Sequence, residues 1–356
     1  MNAQFEEITS LPAGDAHGLS RRRFLAGLSA LGVSALLSGC QTTSNFEPGK
    51  PYRIDVHHHF APPGYSAELK ALMQGHAKWS VEATLDEMEK SGIATAFTSL
   101  INPGMQAWGA DPAGSRKIAR ISNEYAAQLM RDYPGRFGSF ASIPFPDIEA
   151  SLREIEYAYD TLKADGIYLW TSYGGKLLGD PAFFPILAEL NRRKAVIYTH
   201  PATPACCANI MPYISINAIE GPVDTTRTMM SLIFQGGAAK FPDIRWIFSH
   251  SGGVTPFLLS RFQREEVEKD RKNVLPHGLM HELRKFHYDT AQGHHEGALK
   301  ALRSIIPTSQ ILYGTDYPFW DGRRVSSDLA KGGFSAAERV AIDRDNAARL
   351  FPRLKT

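Results

Sequence analysis

Short runs of Val, Ile, Leu, Tyr and Phe alternate along the chain with longer stretches in which apolar residues recur at helical spacing. That alternation is the pattern of repeated βα units. Eight runs read as strands: Arg53–Phe60, Ile93–Ile101, Phe137–Ile143, Gly166–Thr171, Ala195–His200, Ile244–His250, Phe286–Thr290 and Gln310–Thr315. Several are almost unbroken in apolar residues, as strands covered on both faces are. Between them Ser80–Ser91, Ser115–Tyr133, Ser151–Ala164 and Pro181–Lys194 carry the helical period. Gly92, Gly135 and Gly166 stand where helices are expected to stop, and Asp180-Pro181 supplies an N-cap followed by a first-turn proline. Eight strands, each followed by a helix, predict α/β architecture with a single (β/α)8 TIM barrel over 52–356. A doubly wound sheet is the alternative, but no glycine-rich fingerprint follows the first strand.

The first forty residues follow a different pattern. Ser20-Arg21-Arg22-Arg23-Phe24-Leu25-Ala26 opens an apolar run ending at Leu37. The run falls short of the roughly 20 residues that span a bilayer, yet it suits a signal peptide with a positive leader. The paired arginines resemble a twin-arginine export signal, and Leu37-Ser38-Gly39-Cys40 resembles a lipobox. The expectation is a signal segment at 1–40 cleaved before Cys40, lipidation of Cys40 as the new N-terminus, a polar tether at 41–51, and anchorage on an extracytoplasmic or periplasmic membrane face. The twin-arginine machinery would be a partner, carrying the folded domain with its metal already loaded. The plainer alternatives are a cleavable signal without lipid, or a basic helix with a buried cysteine.

Composition narrows the rest. The 356 residues are 43% hydrophobic, 10% aromatic and 21% charged, which is ordinary for a globular chain. Lys and Arg total 39 against 37 Asp and Glu, so no basic field points to nucleic acid. Three cysteines are too few for a disulfide framework.

Chemistry gathers at the strand ends. The first strand closes on His57-His58-His59, and alternate residues share a face, so His57 and His59 point one way and His58 the other. Such a pair suits a divalent metal but also a structural role. The fifth strand ends at His200, the sixth at His250 and the eighth at Asp316. Barrel enzymes keep their sites on this face. His57, His59, His200 and Asp316 offer three nitrogens and one carboxylate, a set suited to Zn2+, with Mn2+ or Fe2+ also accommodated.

Ile54–His59, Thr199-His200-Pro201, Phe248–Gly253 and Gly314–Phe319 together resemble the amidohydrolase superfamily. The likeness is to its mononuclear branch containing aminocarboxymuconate-semialdehyde decarboxylase. Weaker similarity runs from Tyr52 to Pro352. The resemblance implies that His57, His59, His200 and Asp316 are ligands and that His250 handles protons beside the metal-bound water, with Asp316 as a second proton group. The fourth strand ends Tyr168-Leu169-Trp170-Thr171, without the bridging lysine of binuclear relatives. It implies loss of CO2 from an aromatic or muconate-type acid. The alternatives are hydrolysis of a lactone, ester or amide at the same site, and a lipid-anchored protein that binds metal or ligand without catalysis.

Arg261 matches the family arginine that reaches a neighbouring subunit's site and grips a carboxylate, implying a homodimer. The second substrate arginine has no counterpart, and Lys78 stands in that stretch instead. Trp170 and Tyr173 read as walls for a substrate ring or as barrel rim. His58 reads as a packing histidine and Asp289 as either a ligand-orienting or a solvated acid. Cys206-Cys207 reads as two buried thiols, and His294-His295 as an exposed helix start.

Overall fold

The computed structural model describes residues 52–63, 79–101, 111–202, 204–207 and 210–354. The signal segment with Cys40, the tether and Lys78 lie outside them. All eight expected runs form strands: β1 Arg53–Phe60, β2 Ile93–Leu100, β3 Phe137–Ser142, β4 Gly166–Trp170, β5 Val196–His200, β6 Arg245–Phe248, β7 His287–Asp289 and β8 Ile311–Leu312. They pair in sequence order, each parallel to the next. The ring closes through Val56 N–H to Tyr313 O at 3.0 Å, Asp316 N–H to His57 O at 2.8 Å and His59 N–H to Tyr317 O at 2.8 Å. The fold is therefore a (β/α)8 barrel.

Eight helices follow the strands: α1 Val81–Ser91, α2 Pro112–Asp132, α3 Ile148–Glu156, α4 Phe184–Arg192, α5 Ile216–Phe234, α6 Thr255–Glu268, α7 Glu296–Arg303 and α8 Gly322–Lys331. Ser80 caps α1 by accepting from Ala83 N–H, and Gly92 ends it in the left-handed region. The helix expected at Ser115 begins at Pro112, because Asp111 caps it and proline suits the first turn. Among the described residues no helix is long and apolar enough to cross a membrane.

Two expectations need correction. Gly166 does not stop a helix but opens β4, where a Cβ would lie 2.6 Å from Val196 O. The strands β6 and β8 are shorter than the apolar runs suggest. After Phe248 the backbone turns through His250 (φ 54°) and Ser251 (φ 57°), so His250 sits on a loop.

Aromatic rings fill the barrel interior. Phe140 stacks on Tyr198 at 5.0 Å, Tyr198 on Tyr168 at 5.8 Å, and Phe97 meets Phe140 at 5.3 Å. This layer is a packed floor rather than a channel. Tyr198 also lies under His57, ring to ring at 5.3 Å.

Candidate metal centre

The site begins with strand parity. On β1, Asp55, His57 and His59 share one parity and all are buried. Asp55 accepts from His57 N–H at 3.0 Å, His58 Nδ1 at 3.0 Å, Thr315 N–H at 3.0 Å and Thr315 Oγ1 at 2.6 Å. A buried carboxylate so fully partnered clamps β1 to the segment after β8 and fixes where Asp316 emerges. His58 takes the packing role expected of it, stacked on Tyr317 at 4.6 Å.

His57 Nε2 lies 3.2 Å from His59 Nε2, and each is 3.1 Å from Asp316 Oδ1. The His200 ring stands 5.2 Å from that of His57 and 4.8 Å from that of His59. Ligand atoms of His57, His200, His250 and Asp316 all fall within 4.8 Å of one another. Three distant stretches of chain thus meet at one point with β1.

The groups behind the rings decide what faces that point. His57 Nδ1 donates to Asp289 Oδ2 at 2.8 Å and His200 Nδ1 to Pro201 O at 3.2 Å, both pure acceptors. In its neutral form each ring therefore carries its proton on Nδ1 and aims the Nε2 lone pair inward. His59 Nδ1 rests on Ser99 Oγ at 3.1 Å. Asp316 Oδ1 is buried and has no hydrogen-bond partner. Inward lone pairs around an orphaned carboxylate oxygen repel one another unless a cation lies between them. This donor set fits a divalent metal ion.

Burial alone would lower His57, but Asp289 and Asp316 outweigh it and raise its pKa to about 10, so a cation at Nε2 would have to displace a proton from that atom. Asp316 is held well below the usual carboxylate range despite its burial, because His57, His250 and His59 surround it. Burial drives His59 down and His200 far down, so both stay neutral and available as ligands.

His250 differs from the other imidazoles. Its side chain is 11% exposed against 0% for His57. Its N–H donates to Asp289 Oδ1 at 2.9 Å, and its Nε2 lies 3.4 Å from Asp316 Oδ2. Asp289 accordingly holds the His57 ring with one oxygen and the His250 backbone with the other. It is buried, so the solvated alternative does not hold. Asp316 (φ 65°), His250 (φ 54°) and Gln292 (φ 49°) all occupy the left-handed region, a sparsely populated conformation concentrated here at the site.

Trp170 lies beneath the rim rather than on it. Its ring is buried and edge-on to His200 at 5.5 Å, and its indole Nε1 has no partner. Tyr173 accepts the Trp170 backbone N–H at 2.8 Å while its own ring packs on Phe145 at 4.3 Å. Arg261 is exposed on α6 and is not among the converging groups.

Two side readings are overturned. Cys206 and Cys207 are not buried thiols: the turn at 205–207 brings them into a disulfide, and Cys206 is exposed. His294 is buried against Trp320 at 5.2 Å, and only His295 is exposed at the start of α7. Asp55, Ser99 and Gln292, which donates to Asp316 Oδ2, were not singled out from the sequence. Asp55 precedes His57 by two residues, but the register slips between Asp55 and His58 and its carboxylate meets the His58 ring, so parity alone does not place it. Ser99 and Gln292 carry no usable signal, because their partners belong to other strands.

A closed parallel barrel with imidazoles and a carboxylate converging at its C-terminal mouth defines a metalloenzyme class. The chain belongs to the amidohydrolase family, whose model matches residues 54–353. Decarboxylase macB of Penicillium terrestre is 35% identical over 327 residues, covering 85% of this chain and 96% of that protein. The 6-methylsalicylic acid decarboxylase acuB of Aspergillus aculeatus is 33% identical over 331 residues, covering 85% and 97%. A dihydroxybenzoic acid decarboxylase from Polaromonas, solved with manganese and 2-nitroresorcinol, shares the fold. Its TM-score is 0.73 at 20% identity, over 86% of this chain and 98% of that one.

Proposed function

We propose that the protein is a metal-dependent, non-oxidative decarboxylase of an aromatic carboxylic acid, with hydroxybenzoates the first class to test. The observation that carries this reading is the convergence of His57, His59, His200 and Asp316 beside the more exposed His250. Decarboxylases among the relatives support the choice of reaction.

A bound divalent cation would supply a Lewis acid that fixes the oxygens of the acid. His57, His59, His200 and Asp316 Oδ1 would hold it. His250, the solvent-facing imidazole, delivers a proton to the ring carbon that bears the carboxylate. The carbon–carbon bond then breaks, its electron pair restores the ring, and CO2 leaves. Asp316 Oδ2, 3.4 Å from His250 Nε2, holds that imidazole in position between turnovers. Trp170, buried edge-on to His200, would back that ligand ring from beneath the rim.

The metal is proposed to be zinc, since three imidazoles and one carboxylate suit it, although the same donors also take manganese. Export, anchorage through a lipid on Cys40, and a dimer in which Arg261 serves the neighbouring site belong to the same proposal. The test is metal analysis of purified protein, then incubation with hydroxybenzoates, muconates and lactones under CO2 detection. Turnover of a lactone or ester without CO2 would replace this reading with hydrolysis.

A further inference from the structure

At the far end of the barrel from the metal centre, the feet of β4, β5 and β6 and the C-terminal segment border an open cavity of about 230 Å3. Four cations border it: Arg193, Lys194, Arg245 and Arg353. Two of them are already satisfied. Arg193 forks onto Asp160 at 2.8 Å and onto Glu189 at 2.6 Å. Arg353 pairs with Asp165 at 2.8 Å and with Phe137 O at 3.1 Å. The Asp165 carboxylate also accepts Ser139 N–H at 2.9 Å, so the one acid in the lining is fully engaged.

Lys194 and Arg245 have no such partner. Among the described residues neither pairs with a carboxylate, and Arg245 donates only to the Lys194 carbonyl, at 2.7 Å. Tyr159 lines the same cavity, and its hydroxyl is shut off from solvent and has no hydrogen-bond partner. Burial raises that phenol far above its ordinary range, against the pull of Arg193 and Arg245, so it remains a proton donor. The remaining wall is apolar, from Val196, Leu350 and Phe351.

Two unpaired cations and an orphaned buried donor are complementary to a carboxylate. The apolar wall is not, and a bare oxyanion would leave most of the 230 Å3 unfilled. We propose that this cavity binds a small organic anion, a carboxylate on an apolar or aromatic body. Lys194 and Arg245 would hold its charge and Tyr159 would donate to it. The site is separate from the metal centre and does not depend on the reaction assigned there.

Isothermal titration of the metal-loaded full chain with benzoate tests the proposal. Arg245→Ala should bind one benzoate fewer than the parent, with its metal content unchanged. Tyr159→Phe keeps the ring and should weaken that one site roughly tenfold. It provides the decisive variant if Arg245→Ala fails to fold. Equal stoichiometry and affinity in Tyr159→Phe and the parent would overturn the proposal. So would displacement of benzoate from this site by inorganic phosphate at equal affinity, since the organic body would then contribute nothing.

Discussion

Asp289→Asn tests how the imidazoles are held. In the parent, Asp289 Oδ2 accepts from His57 Nδ1 at 2.8 Å, while Oδ1 accepts from the N–H groups of His250 at 2.9 Å and Ala291 at 3.0 Å. Asparagine has the same shape but only one acceptor oxygen. If that oxygen stays on the two backbone amides, the new NH2 faces His57 Nδ1 and forces the ring proton onto Nε2. The proton then points at Asp316 Oδ1, 3.1 Å away, where the cation must sit. If the amide flips, two buried N–H groups meet an NH2, at about 1–3 kcal/mol each. The first arrangement therefore wins, and the metal must compete with a misplaced proton. Loss of such an orienting partner costs 10- to 100-fold in metal affinity, or about 1.4–2.8 kcal/mol. Competition of Zn2+ against a chromophoric chelator measures this directly, and thermal unfolding checks that the fold survives. Asp289→Asn binding Zn2+ within twofold of the parent would refute the tautomer argument.

Four further outcomes are expected. His250→Asn should retain its metal content and lose about 10²- to 10⁴-fold in kcat, because the proton donor rather than a ligand is removed; unchanged turnover would reject that role. Arg261→Ala should raise KM for the acid substrate about tenfold or more, the worth of a charge-assisted pair, and unaltered kinetics would remove Arg261 from the neighbouring site. His287, at the foot of β7, is lowered to about 4, chiefly by burial and then by Arg245 and Arg349. Between pH 6.5 and 4 the unfolded chain binds the extra proton, so stability is full above that window and falls by up to about 3 kcal/mol as pH drops through it. Denaturant titrations should show His287→Phe lacking this part of the slope. Finally, a fatty-acid label should appear in cells on the parent and vanish with Cys40→Ala; label persisting in the variant would refute the anchor.

The barrel was readable because its signals are local. Buried parallel strands need near-continuous apolar runs, and helices need one apolar stripe, so each element writes its own period into the chain. The ligands were readable for a related reason: His and Asp at or just beyond a strand's C-terminal tip meet the mouth of such a fold, as His200 does at the end of β5 and Asp316 does four residues past β8. Ends were less legible. Ser80 and Asp111 set the helix starts by side-chain hydrogen bonds, whereas β6 stops at Phe248 because the backbone must turn to bring His250 inward.

The sequence by itself determined the eightfold alternation, the inward parity of His57 and His59, and the residue types presented at the mouth. Only the tertiary structure decided which way each ring carries its proton. Asp289, from another strand, makes that choice for the neutral His57 ring and the Pro201 carbonyl makes it for His200. It also decided that Cys206 and Cys207 join and that Tyr159, Lys194 and Arg245 line one cavity at the barrel foot. The division has one physical cause. Periodicity reflects what each residue buries, which is a local choice, while hydrogen-bond direction and charge pairing depend on neighbours that only closure of the ring brings together.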